Sequence, residues 1–348
     1  MSNGEISETW DPRHFPSQGP YAILTSLPRG INSKVLLVGP KDSAPPDFSL
    51  SYGIPVNFTS IGAAMAAIPL LDPDVNNPVT QWTILVTPGY YPEVIKFKPF
   101  VNVVGLVKEA VIIAGQTEDI GPLRSQVYLC SRSLLSNVTL AIRPKSEQGD
   151  FVVRGHDVHT YSSGQHVGNI HFLGLSNVDF FCFRHPKDPK PKGGLIKFDG
   201  DWSTVIFKDV GGNYEAPERY GIQLFGRFQN ADCHFINCFF DALFLNDEGG
   251  LMASRNCYEV HLRNSLLRVN YLNGRGTKPI TAVKISKRPV SSDEPTHVAI
   301  EGSSLYGPGP SVLDIGKNTV CFFRHSWTES KSGPGQFVAS RSDGIGNA

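Results

Sequence analysis

The sequence predicts an all-β fold in which short parallel strands stack coil on coil into a single solenoid. First, a five-residue phrase recurs as Val205-x-Phe207-x-Asp209, Cys233-x-Phe235-x-Asn237, Val260-x-Leu262-x-Asn264, Val298-x-Ile300-x-Gly302 and Cys321-x-Phe323-x-His325. Successive copies begin 28, 27, 38 and 23 positions apart (233−205, 260−233, 298−260, 321−298). Apolar residues two apart share one strand face, and a turn-prone fifth residue takes the chain out of the strand. Second, shorter versions precede these copies, at Ile84-x-Val86, Val101-x-Val103-x-Gly105, Val111-x-Ile113-x-Gly115, Val138-x-Leu140 and Ile170-x-Phe172-x-Gly174. Third, only one helical pattern occurs, near the start, so alternating βαβ units do not fit. Units repeated every few tens of residues bury their apolar face only against their neighbours.

In chain order, residues 1–54 form an irregular arm with Trp10-Asp11-Pro12 and Pro45-Pro46, and a strand pair around Tyr21–Leu24 and Lys34–Val38. The solenoid spans 55–329. It opens on an α-helix from Thr59 to about Pro69, with Ile61, Met65 and Ile68 at i, i+4, i+7 spacing. Thr59 or Ser60 caps its first turn. This helix is expected to cover the first coil, because a solenoid needs its open end closed. Variable stretches at 143–168, 184–200, 211–220, 270–280 and 287–296 should collect on one side and build a binding face. Residues 330–348 form a flexible, Gly-rich tail.

Gly 34 and Pro 26 make up 60 of 348 residues, which implies many turns, and Phe 21 suits a strand-built core. Lys+Arg and Asp+Glu are 32 each, so no basic excess exists to release counterions from nucleic acid. The basic stretch Arg184 to Lys192 is broken by prolines and is expected to be a solvated loop. No apolar run reaches the ~18 residues of a membrane span. Met1 to Trp10 lacks a signal-peptide pattern, so cytoplasmic synthesis and incorporation into a particle are expected. Six scattered cysteines, Cys130, Cys182, Cys233, Cys238, Cys257 and Cys321, have no CxxC spacing and are expected to be buried free thiols. No cofactor is expected.

Residues 58 to 115 resemble the opening of the pectinesterases and, more broadly, of pectin-lyase-like right-handed parallel β-helix proteins. The matching stretches are Phe58-Thr-Ser-Ile61-Gly-Ala-Ala64-Met-Ala-Ala-Ile-Pro69, then Trp82-Thr-Ile-Leu-Val-Thr-Pro-Gly89-Tyr-Tyr91-Pro-Glu93, Val103-Val-Gly105 and Val111-Ile-Ile-Ala-Gly115. The resemblance implies a single right-handed parallel β-helix of about eight to ten coils. It also implies a carboxylate nucleophile, a second carboxylate about 21 residues earlier as acid/base, and an arginine for the substrate carboxylate. Phe239-Phe240-Asp241-Ala242-Leu243-Phe244 is similar to the family's nucleophile phrase and marks Asp241. Counting back 21 gives Tyr220, where no Gln-Asp pair stands; Glu218 fits only if the coil shifts by two residues. Asn273-Gly274-Arg275-Gly276 echoes the arginine phrase without its tryptophan and marks Arg275. Tyr91 and Glu93 of the Gly-x-Tyr-x-Glu phrase, with Gln223, Tyr220 and Tyr271, complete the substrate-contacting set.

His156, His159, His166 and His171 fall close together, but His171 lies between Ile170 and Phe172 and should face away, so no metal site is expected. Asp247-Glu248-Gly249-Gly250 offers calcium too few oxygens and is expected to be a turn. The missing acid/base carboxylate favours a non-catalytic β-helix, a structural or glycan-recognising component of a virus particle or cell surface, with protein partners or self-assembly. The alternative is a divergent carbohydrate esterase or lyase using Asp241 and Arg275.

Overall fold

The computed structural model describes residues 35–40, 58–69 and 81–114, then the strands and corners between 118 and 330, and 346–347. Residues 1–34, 41–57, 70–80 and 331–345 and the loops between coils lie outside the described residues.

Among the described residues, ten rungs stack in parallel on one side of the molecule: Val35–Val38, Trp82–Val86, Val101–Gly105, Leu134–Ile142, Leu173–Cys182, Thr204–Tyr214, Asp232–Ile236, Glu259–Arg263, Thr296–Glu301 and Thr319–Arg324. One column runs through them in register as Leu36, Ile84, Val103, Leu135, Leu175, Phe207, Phe235, Leu262, Ile300 and Phe323. The neighbouring inward column carries Val205, Cys233, Val260, Val298 and Cys321, which are buried. These are the first and third residues of the recurring phrase, and both point inward as their period of two requires.

The fifth residue turns the corner. Asn137, Asn177, Asp209, Asn237, Asn264, Gly302 and His325 have φ of 58, 51, 53, 53, 48, 55 and 50°. Left-handed backbone of this kind favours Asn, Asp and Gly. The corners bond to one another: Asn177 Nδ2 donates to Asn137 Oδ1 (2.6 Å), and Asn237 Nδ2 to Asp209 Oδ1 (3.0 Å). Beyond the corner, each coil continues along a second face, through Phe239–Phe244, Leu266–Tyr271, Ser304–Gly307 and Trp327–Ser330. A separate parallel sheet closes the third face, from Ile95–Lys96 through Tyr220–Gly226 to Leu313–Ile315. The molecule is therefore a parallel β-helix, and the core lies inside its three faces. All six cysteines are free and buried.

The helix is Ile61–Ala67, with Ser60 as its N-cap accepting from the Ala63 amide. Its buried Ile61, Ala64 and Met65 close the first coil. Two expectations change. Val35–Val38 belongs to the solenoid rather than the arm, because it pairs along its whole length with Trp82–Val86. Gly346–Asn347, expected in the tail, pairs antiparallel with Val320 and Cys321 on the last rung's edge.

Phe235 stacks on Phe207 at 4.7 Å and meets Phe240 edge-on at 6.1 Å. Phe235→Ala should therefore lose about 3–5 kcal/mol of stability, measured by chemical denaturation. Phe235→Asp should leave no soluble folded protein, since it buries an unpaired charge. Wild-type-like stability in either variant would break the register.

Candidate functional site

Asp241 lies on the second face. Strand Phe239–Phe244 turns Phe240 and Ala242 into the core, which leaves Phe239 and Asp241 outward. The register sets Asn213 beside Asp241 on the coil before and Arg268 beside it on the coil after. Arg268 donates to Asp241 Oδ2 at 2.5 Å, and its guanidinium lies 5.8 Å from the centre of the Phe239 ring. The other carboxylate oxygen, Oδ1, is buried without a hydrogen-bond partner. Tyr306 follows Arg268 in the same column.

The coil before Asp241 is longer than the 21 residues that the resemblance implies. The residue in register with Asp241 lies 28 positions back (241−213), not 21, and is the amide Asn213. Tyr220 sits on the third face, in register with Gly250, and so is not a rung neighbour of Asp241. Gln223 is there too, its buried amide donating to Tyr220 O at 3.1 Å. Tyr91 and Glu93 belong to the helical cap. Tyr91 is 2% exposed and its hydroxyl donates to Thr87 O at 2.8 Å. The Glu93 carboxylate accepts the Ile61 and Gly62 amides at 2.8 and 2.7 Å, satisfying the first turn of the helix. Lys98 complements it by donating to Ala66 O and Ile68 O at the other end. Glu218, Arg275, the four histidines from His156 to His171 and the Asp247-Glu248 turn lie outside the described residues, as does the Tyr271 side chain.

A second cluster occupies the outer surface of the first face. Asp232, Glu259 and His297 stack in one column, and His234 and His261 in the next. The rings of His234 and His261 stack at 4.7 Å. His261 Nε2 is 2.9 Å from Glu259 Oε2. Arg263 pairs with Glu301 at 3.2 Å beside a depression lined by His234, His261, Ile236 and Ala299. Burial, together with the Glu259 charge, pushes the Asp232 carboxyl up to about 7. The hydrogen bond from His261 draws Glu259 below the usual carboxylate range. Burial, with the neighbouring His261, lowers His234 to about 3. This cluster was missed in the sequence, although His234 and His261 fill the outward slot of consecutive phrase copies. Among the described residues, no group of three His, Cys, Asp or Glu is arranged to hold a metal, and no helix is long and apolar enough to cross a membrane.

The chain matches no protein-family model and no curated protein. Solved structures similar to it are pectin methylesterases. The rice weevil enzyme is 11% identical, with 94% of this chain and 87% of that one covered, at a TM-score of 0.41. The carrot enzyme is 13% identical, with 90% and 88% covered, at 0.37. The Erwinia chrysanthemi enzyme is 11% identical, with 86% and 91% covered, at 0.38. The fold itself rests on the rung register given above.

Asp232 and His234 give stability opposite slopes with pH. Between 3.8 and about 7 the folded state holds a proton on Asp232 that the unfolded chain has released, so stability falls as pH rises. Between about 3 and 6.5 the unfolded chain protonates His234 and the folded state does not, so stability rises. Asp232→Asn should therefore raise the melting temperature at pH 8, with the gain fading towards pH 3. A gain independent of pH would refute the buried-proton account.

Proposed function

We propose that this chain is a glycan-recognising β-helix protein, non-catalytic at the Asp241 coil, and a component of a larger assembly such as a particle or cell surface. The observation that carries this reading is the position of Asp241 between an amide and a guanidinium, beside the half-exposed Phe239 ring. A sugar has an apolar ring face rimmed by hydroxyls. An exposed aromatic ring takes the face, and carboxylate, amide and guanidinium groups take the hydroxyls. Ester cleavage at the same place would require a second carboxylate in a different protonation state. Neither rung neighbour of Asp241 supplies one. The assembly part of the proposal rests on the sequence alone, on the Gly-rich composition of Ser330 to Ala348.

Calorimetry against a panel of neutral and acidic oligosaccharides should find a ligand whose binding weakens about tenfold, ~1.4 kcal/mol, in Phe239→Ala. Methyl-esterified pectin should release no more methanol with wild type than with Asp241→Asn. Release that disappears in that variant would overturn the non-catalytic reading.

A specific observation favours a second reading, a carbohydrate-active enzyme working at the other cluster. Asp232 and Glu259 stand on consecutive rungs, one pushed towards the acid form and the other held ionised. Divided protonation of this kind is how an acid/base pair is prepared. On this reading Asp232→Asn and Glu259→Gln would each abolish cleavage of a glycan panel while Phe239→Ala kept the turnover number. Equal cleavage by all three variants would exclude it.

A further inference from the structure

Among the described residues, three of the large apolar side chains most exposed to solvent are aromatic residues of a single outward column. Tyr90 is 60% exposed, Phe239 42% and Trp327 46%. Residue by residue, the register leads from Tyr90 through Ile112, Thr139, Asp179 and Gly211 to Phe239. It then continues through Leu266 and Ser304 to Trp327. Tyr90 and Phe239 are thus five rungs apart, and Phe239 and Trp327 three. At ~4.8 Å per rung these intervals are roughly 24 and 14 Å, along the axis of the solenoid. The Asn213, Asp241, Arg268 and Tyr306 column runs beside this one, two residues further along each strand.

We infer that the ligand is a linear, uncharged polysaccharide lying parallel to the solenoid axis, with Tyr90, Phe239 and Trp327 as three separate stacking platforms. This inference rests on the glycan-recognising reading and adds the ligand's class, direction and length to it.

Single exposed aromatics are ordinary on a protein surface. Three on one column of stacked rungs form a row. The row is not a continuous apolar patch of the kind that buries a protein partner, because Thr139, Asp179, Gly211 and Ser304 interrupt it. Its alternation of flat apolar rings and polar intervals suits a chain whose ring faces and hydroxyls alternate in the same way. Two cations beside the row are already paired with carboxylates. Lys108 pairs with Asp179 at 3.0 Å, and Arg268 with Asp241 at 2.5 Å. A polyanion would have to displace these carboxylates to reach either cation, whereas an uncharged chain leaves both pairs intact.

The platforms are fixed to a stacked sheet, so binding requires little ordering of the protein. A short oligosaccharide reaches only one platform. A long one engages the second and third intramolecularly, at high effective concentration. Affinity should then rise in steps with chain length.

The test is calorimetry on the full chain with size-fractionated cello- and manno-oligosaccharides, soluble polymers of the same sugars, and polygalacturonate. A polymer of one uncharged series should bind at least tenfold more tightly than its trisaccharide. Tyr90→Ala and Trp327→Ala should each remove most of that gain while leaving trisaccharide binding unchanged, and Phe239→Ala should weaken both. Both terminal platforms are exposed, so the variants should keep the wild-type circular dichroism. Equal affinity for short and long chains, or polymer binding indifferent to Tyr90 and Trp327, overturns the three-platform inference and leaves the glycan-recognising reading standing. Tighter binding of polygalacturonate overturns the assignment of an uncharged ligand. No binding to any glycan overturns both readings.

Discussion

The structure depends on one backbone constraint, a left-handed residue at the same corner of seven successive coils. A strand shifted by one residue would turn every inward side chain outward. The corner prevents that shift, because a residue with φ near 50° must stand at a fixed distance from the last inward side chain. The corners also lock to each other. Behind them Ser265, Ser303 and Ser326 form a second ladder, in which Ser303 Oγ receives the Ser265 amide at 3.0 Å and Ser326 Oγ the Ser303 amide at 3.3 Å. At Gly302 the stack is so close that an added Cβ would meet Asn264 Oδ1 at 2.5 Å. Asp, Asn or Gly at these positions therefore belongs to the packing of the scaffold as well as to the turn.

This constraint explains what could be read from the sequence and what could not. The inward pair of each phrase was legible because burial restricts those slots to apolar residues, and the fifth residue because few types tolerate its conformation. The outward slots obey neither restriction. His234 and His261 looked like arbitrary entries in the phrase, although the fold stacks them face to face. The partners of Asp241 were hidden for a related reason. Coil length varies from copy to copy, so a fixed count of 21 landed on Tyr220, on another face, while the true neighbour Asn213 lay 28 back (241−213). Glu93 was legible as part of a phrase, but its role needed the three-dimensional approach of the helix to its carboxylate.

Parallel stacking also dictates the electrostatics of the surface. Residues in register on consecutive rungs are only ~4.8 Å apart, so any two charges there must be reconciled. Asp241 over Arg268, Arg263 over Glu301 and Lys284 over Asp314 are opposite pairs, closed at 2.5, 3.2 and 2.8 Å. Such half-exposed pairs add little stability, on the order of 0–1 kcal/mol each. Their effect is local: each pair neutralises its own step of the ladder.

Asp232 over Glu259 breaks this pattern, because two carboxylates share one step of the ladder. They cannot both ionise cheaply at that distance. His261 resolves the conflict on one side by bonding Glu259, and the proton retained by Asp232 resolves it on the other. A scaffold selected only for stacking would gain from an amide or an opposite charge at either position. Keeping two carboxylates there, beside two stacked imidazoles, holds a proton that can leave near neutral pH. The same rung spacing that makes Asp241 a closed ion pair thus makes Asp232 a poised acid. On the two faces flanking the corner the register brings different charges together.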